Sequence, residues 1–179
     1  MLNNIASMLG AGGGVATNYE SIATVSVSSA QSTITFSSIP STYTHLQIRA
    51  LYLGSSAEEN LRMRFNSDTG SNYARHYVGG NGSATFASGT ANDNYAMIGL
   101  TPNSTQPGVF VADILDYANT NKYKTSRSLY GDDKNGGTGY LMFCSGLWQN
   151  TAAVSSIDIS SNGSSNFNQY SSFALYGIK

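Results

Sequence analysis

The chain has 179 residues and a formal net charge of −1, and only 11% of its residues are charged while 40% are hydrophobic. This length and apolar content predict one folded domain and exclude a largely disordered chain. The absence of excess Lys and Arg argues against nucleic acid or an anionic lipid surface as a partner.

The polar residues are mostly small and neutral: 27 Ser, 15 Thr, 17 Asn and 19 Gly. The single cysteine, Cys144, lies in the apolar run Tyr140–Cys144, which is typical of a small buried side chain. No segment has the roughly 20 apolar residues needed to cross a bilayer, and no secretory leader is apparent, so we expect synthesis in the cytoplasm and no membrane insertion.

Residues 1–18 differ in pattern from the rest of the chain. Their apolar residues recur at helical spacing, and the run Gly10–Gly14 then interrupts the pattern. We expect a short helical arm with a Gly-rich linker, whose apolar stripe packs either on its own domain or on a partner subunit. The predicted anchoring residues are Leu2, Ile5, Met8 and Leu9.

From residue 19 to residue 179 the apolar period is two, and turn residues separate short runs of Val, Ile, Thr, Tyr and Phe. No later segment has a helical stripe, so the sequence predicts an all-β domain, an antiparallel β-sandwich that is jelly-roll-like. The predicted strands are 22–28, 32–37, 45–53, 61–66, 73–78, 84–87, 95–100, 109–117, 123–130, 140–148, 154–159 and 173–178.

Three Asn-Gly pairs fall between predicted strands, at Asn81, Asn135 and Asn162. Asn-Gly favours the tight hairpin turn in which both central residues have positive φ. We therefore predict tight turns at these positions, most clearly between residues 132 and 139.

Groups that could carry catalysis are few. His45 and His76 each lie in a predicted strand, where a structural or surface role is the simpler interpretation. No nucleophile elbow, paired-histidine zinc motif, cysteine pair or phosphate loop occurs, so we expect no enzyme, no metal and no cofactor. The segment 66–70 faintly resembles a calcium loop but lacks the closing acidic residue, and it is interpreted as a turn.

Aromatic side chains suggest a second hypothesis for the function, which is binding of a carbohydrate. Tyr77, Trp148 and Tyr170 could stack on sugar rings of a host surface glycan, with neighbouring Asn and Ser bonding the hydroxyls. Aromatic residues in strands also fill cores or cross-strand pairs, so both interpretations of these residues stay open.

The segments 38–49 and 61–73 and the closing residues 173–178 resemble small virion structural proteins of tailed bacteriophages. The resemblance covers about a third of the chain, and its motifs are structural. It implies a β-sandwich component of a virion, often attached to the tail or the capsid surface and present in several copies. The expected role is a tail appendage or fibre component anchored by the arm. The alternatives are a capsid decoration protein or a receptor- or carbohydrate-binding module. Its expected partners are other virion proteins and copies of itself.

Overall fold

The computed structural model describes residues 18–56 and 58–179. Within these residues the chain forms twelve β-strands and no helix. The strands are β1 (Tyr19–Ser26), β2 (Thr33–Phe36), β3 (His45–Tyr52), β4 (Asn60–Phe65), β5 (Tyr73–Gly80), β6 (Thr85–Asp93), β7 (Ala96–Leu100), β8 (Gly108–Leu115), β9 (Lys124–Lys134), β10 (Thr138–Trp148), β11 (Ile157–Ser161) and β12 (Ser172–Ile178).

The expectation of an all-β body is confirmed, and each predicted strand overlaps one of the twelve. The largest difference is β6, which runs six residues beyond the predicted end at Ala87 because it stays paired with β5 as far as Asp93. Of the added residues, Ser88 to Asp93, only Thr90 has high strand propensity, so their conformation follows from pairing with a neighbour. At β11 the predicted start, Val154, instead lies in the preceding loop, where its amide donates to the carbonyl of Tyr117.

The strands form two antiparallel sheets. The large sheet has eight strands in the order β1-β12-β3-β8-β9-β10-β5-β6, and the small sheet has four in the order β2-β11-β4-β7. Every neighbouring pair is antiparallel. The edge strand β1 is where the described body begins.

One hydrophobic core joins the two sheets. Strands of both sheets alternate between buried and more exposed residues, as in β2 and β4 of the small sheet and β8 of the large sheet. A cluster of rings, in which Tyr52 and Phe173 lie 5.6 Å apart, packs one part of the core. A second cluster, with Phe65 and Trp148 at 5.5 Å, joins β4 to the end of β10.

The Asn-Gly pairs lie at turns as predicted, but not in the expected backbone form. Gly82 and Gly136 have positive φ, whereas the preceding Asn81 and Asn135 do not, and at the third pair neither Asn162 nor Gly163 does. The Asn81 side chain accepts hydrogen bonds from the amides of Ser83 and Ala84, at 3.1 and 2.9 Å. At this turn Asn81 therefore contributes a side-chain acceptor and not a left-handed backbone conformation.

Lys124 is the most deeply buried charged residue of the described chain. Its side chain is fully buried, and its ammonium donates to the carbonyls of Lys122 and Thr151 at 2.8 and 3.1 Å and to that of Asn119 at 2.5 Å. Burial lowers the pKa of Lys124 from its ordinary value. Three carbonyl acceptors around one ammonium hold the 119–122 loop against the segment after β10.

Residues 1–17 lie outside the described part of the chain. The predicted helical arm and its anchor residues Leu2, Ile5, Met8 and Leu9 therefore stay a prediction. The first described residue, Asn18, accepts a hydrogen bond at its carbonyl from the amide of Lys179.

Candidate interaction surface

The outer face of the large sheet carries a continuous strip of exposed apolar side chains. They lie on β3, β8, β9, β10 and β5, and each is between 40% and 63% exposed. We call this strip the apolar band; its members are Leu51, Val78, Val109, Val111, Leu129, Leu141 and Phe143.

Strand register arranges the band in two rows that cross the sheet. The first row passes through Cα partners from β3 to β5 as Leu51, Val109, Gly131, Leu141 and Gly80. The second row, two residues along each strand, is Arg49, Val111, Leu129, Phe143 and Val78. Side chains two apart on a strand share a face, so all ten positions face outward together.

Two glycines in the first row leave gaps in the surface. A Cβ added at Gly131 would find nothing closer than 3.8 Å, and one at Gly80 nothing closer than 3.5 Å. Together with the β9–β10 hairpin these gaps form an open groove of about 760 Å³, lined by Val78, Leu129, Leu141 and Phe143 among others.

The size of the band sets it apart from scattered surface hydrophobes. Seven half-exposed side chains expose on the order of 600 Å² of apolar surface, which is the upper end for the largest patch on a monomer. Such patches commonly mark sites that contact another macromolecule. The band is therefore the feature of the described chain best suited to protein–protein contact.

Charged residues border the band on both sides along β9. Arg127 precedes Leu129 by two residues, and Asp133 follows Gly131 by two. Both are exposed, and the Arg127 guanidinium donates to the carbonyl of Ser126 at 2.8 Å. Neither belongs to an ion pair with another residue in 18–56 or 58–179.

A cluster of ionisable residues lies at the β9–β10 hairpin, on the face of the sheet opposite to the apolar band. Asp132 is 6% exposed and accepts a hydrogen bond from the amide of Tyr140 at 2.8 Å. Burial raises the pKa of Asp132, and the adjacent Lys134 pairs with Glu58 at 2.5 Å. The Lys134 ammonium also lies 5.1 Å from the ring centre of Tyr140, so both Glu58 and this ring stabilise its positive charge.

The two histidines lie on different parts of the large sheet. The Nδ1 of His45 accepts the amide proton of Asp116 at 3.0 Å and lies 3.6 Å from that residue's carboxylate. His76 is exposed on β5, and its ring covers Gly89 of the neighbouring β6. The fold therefore does not bring the histidines together.

The segment 66–70 forms a turn whose polar side chains are bound by the protein itself. The Asn66 Oδ1 accepts from the amides of Ser155 and Ser156 at 2.8 and 3.1 Å. The Asp68 carboxylate accepts from the amide of Gly70 at 2.8 Å and from the indole of Trp148 at 2.7 Å. These contacts support the interpretation of the segment as a turn, because the side-chain oxygens of Asn66 and Asp68 accept hydrogen bonds from different groups of the protein itself.

The three aromatic residues considered for glycan binding lie in different environments. Trp148 is 1% exposed and packs in the core, so its ring is not available for stacking on a sugar. Tyr77 is partly buried with its ring 6.2 Å from that of Phe86, while Tyr170 is 81% exposed in the loop before β12. Among the ring pairs of the described residues, none joins two of these three.

Sequence reasoning missed the apolar band, although a signal for it was present. β8 is apolar at successive positions, with Val109 and Val111 on one face and Phe110 and Ile114 on the other. A strand that is apolar on both faces indicates that both are covered. Here the inner face is covered by the core, whereas the outer one is exposed.

Residues 18–56 and 58–179 contain no group of three or more His, Cys, Asp and Glu side chains placed to hold a metal ion. The same residues contain no helix long and apolar enough to cross a bilayer. No family model, curated protein or solved structure matches the chain.

Proposed function

We propose that this protein is a non-enzymatic structural component of a tailed-bacteriophage virion, a tail appendage or fibre component that works by packing against other proteins. The observation that carries the proposal is the apolar band, seven exposed Leu, Val and Phe side chains on one sheet face. A component of a repeating particle needs such a face, because its energy of assembly comes from apolar area removed from water.

The architecture and composition support the same role. Two antiparallel sheets around one core are compatible with the β-sandwich, jelly-roll-like in our proposal, that the resemblance to virion proteins implies. With only 11% charged residues, copies of the chain repel one another weakly at close approach.

The arm is the second part of the proposal. We place the anchor in residues 1–18, where Leu2, Ile5, Met8 and Leu9 form an apolar stripe. The described body begins at the edge strand β1, so a segment preceding it can reach a neighbouring subunit without disturbing the sheets.

Immunogold electron microscopy tests the location. Antibody raised against the full chain is applied to virions made from a genome that carries the gene, and to virions made with its start codon mutated. We expect gold on the tail of the first virions alone. Gold on the capsid surface would assign the chain to capsid decoration, and virions without gold would contradict the whole proposal.

A full-length variant tests the anchor. Leu2, Ile5, Met8 and Leu9 are replaced by Ser, and a matched control replaces Asn3, Asn4 and Ser7 by Ala. We expect the first variant to fold but to be lost from purified virions, and the control to be incorporated normally. Equal incorporation of both variants would remove the arm from the proposal.

Tyr170 favours a second function, binding of a host surface glycan. Its ring is 81% exposed on the loop before β12, and its backbone is in the left-handed region with φ of 73°, a conformation that often occurs at functional sites. A glycan array tests this function with Tyr170→Ala against the control Tyr123→Ala, which removes a ring that is 52% exposed. Binding that only Tyr170→Ala abolishes would support the function, and an array without signal would remove it.

A further inference from the structure

The two rows of the apolar band are complementary to each other. Leu129 and Val78 protrude in the second row, and on the same strands the first row has Gly131 and Gly80. A second copy of the surface, turned so that its first row meets the second row of this copy, would place side chains opposite gaps.

We infer that the band is covered by the band of a second copy of this chain, related by a two-fold axis that runs across the strands between the two rows. This inference deepens the proposed function and rests on it, since it names the partner of the assembly surface. Under this symmetry each strand faces the same strand of the partner. Two residues come into contact when they lie at equal distances from the axis on opposite sides of it.

The steric match follows from the symmetry. Leu129 of one copy lies over the partner's Gly131, and Val78 lies over the partner's Gly80. Neither glycine has a neighbour within 3.4 Å of the place where a Cβ would stand, so the gaps are open in this chain. On β8 and β10 the symmetry pairs Val109 with the partner's Val111 and Leu141 with the partner's Phe143, which are apolar contacts.

On β9 the charges match under the same axis, while on β3 the axis places Arg49 opposite the partner's Leu51. On β9, Arg127 and Asp133 lie three residues on either side of Tyr130, the position through which the axis passes. The two-fold therefore places Arg127 opposite the partner's Asp133, and does so twice in the dimer. Because neither side chain has an ion-pair partner among residues 18–56 and 58–179, both are available for these contacts.

The area is sufficient for a second copy. The exposed apolar surface of the band, on the order of 600 Å² and bordered by charged residues, approaches the ~800 Å² that each partner contributes to a standard interface. Two sheets pack face to face about 10 Å apart with nearly aligned strands, and this two-fold produces that arrangement. The symmetric contact closes on itself, so it covers both bands at once.

Sedimentation equilibrium of the full chain tests the dimer. The chain has a mass of 18.9 kDa, and we expect twice that value. Arg127→Asp places two acidic groups in apposition, and Asp133→Arg places two basic groups together, so each should weaken dimerisation at least about tenfold. The double variant R127D/D133R restores opposite charges and should return most of the lost affinity.

Filling a gap tests the geometry independently of charge. Gly131→Leu adds a side chain where the partner's Leu129 would lie, and we expect it to weaken the dimer at least about tenfold. Thr33→Leu, an exposed position on the small sheet, adds the same side chain away from the band and should change nothing. Stronger association in Gly131→Leu would show a generally adhesive surface and overturn the inference.

The outcomes separate this inference from the proposed function. A full chain that stays monomeric at about 100 μM, or a dimer that no β9 variant weakens, overturns the inference while virion labelling can still succeed. A dimer with the expected variant pattern supports the inference even where virions carry no gold. Circular dichroism on each variant shows that a loss of mass is not a loss of fold.

Discussion

The indole Nε1 of Trp148, the last residue of β10, donates a 2.7 Å hydrogen bond to the carboxylate of Asp68 in the turn after β4. The contact spans 80 residues of sequence and joins the large sheet to the small one. Asn72 and the amide of Gly70 donate to the same carboxylate, at 2.9 and 2.8 Å. Asp68 therefore holds the end of β10 through its charged form.

We predict that Asp68→Asn lowers the free energy of unfolding by about 2 kcal/mol at pH 7, because it removes the charged acceptor of three hydrogen bonds. Denaturant titration measures the change. Trp148→Phe removes the indole donor, and in the double variant the two effects should fall short of additivity by about 1 kcal/mol. Full additivity would show that the two residues act separately.

The same residue predicts a dependence on pH. Burial alone would raise the pKa of Asp68, but the hydrogen bonds from Trp148, Asn72 and Gly70 outweigh it, so the pKa lies below its ordinary 3.8. A carboxylate with a lowered folded-state pKa contributes stability above its unfolded pKa and loses it as the pH falls through the folded value. The stability difference between the native chain and Asp68→Asn should thus shrink as the pH falls below 3.8. A difference that stays constant from pH 7 to about pH 2 would contradict this assignment.

We predict that Gly99→Ala destabilises the fold by about 2 kcal/mol, since Gly99 lies directly beneath Tyr130. An added Cβ would stand 2.8 Å from the Tyr130 ring, and Gly99 has φ of +151°. Gly131→Ala is the matched control when both variants are compared as monomers at low concentration, because within one chain its Cβ would have no neighbour closer than 3.8 Å. In the monomer it should raise the free energy of unfolding by about 0.5 kcal/mol. Thermal unfolding of both variants measures the contrast, and equal melting temperatures would disprove it.

We predict that Cys144 does not react with a thiol reagent such as a colorimetric aryl disulfide while the chain is folded. Cys144 is fully buried, and burial raises its pKa to about 11. At about pH 8 roughly one molecule in a thousand would carry the reactive thiolate, which is shielded as well. One equivalent should react after unfolding in guanidinium, whereas His76→Cys, at an exposed position, should react at once in the folded state. Rapid reaction of the native chain would show that β10 opens readily.

Local pattern accounts for much of the fold. The alternation in Leu61–Phe65 predicts that Leu61, Met63 and Phe65 are buried, and in β4 all three are, with both arginines on the other face. The extension of β6 to Asp93 and the late start of β11 could not be predicted in this way. They depend on which strand lies alongside and on loop hydrogen bonds to distant residues.

The environments of two buried side chains, Lys124 and Trp148, were less accessible to prediction than the strands. Lysines are rarely fully buried, and the pattern of β9 gives no sign that three carbonyls from two loops surround the Lys124 ammonium. Trp148 had both a core and a surface interpretation, and its burial against Phe65 places it in the core. In both residues the environment comes from segments that are not adjacent in the sequence.

The sequence by itself determined that the body is all-β and, in strands such as β4, which side is apolar, because side-chain alternation is a property of neighbouring residues. Only the tertiary structure decided the strand order, and with it the alignment of Val111, Leu129, Phe143 and Val78 into one row. Those side chains come from four strands, and they form a surface only because backbone pairing sets the register between β8, β9, β10 and β5. Register depends on the packing of the whole chain, which no local pattern specifies.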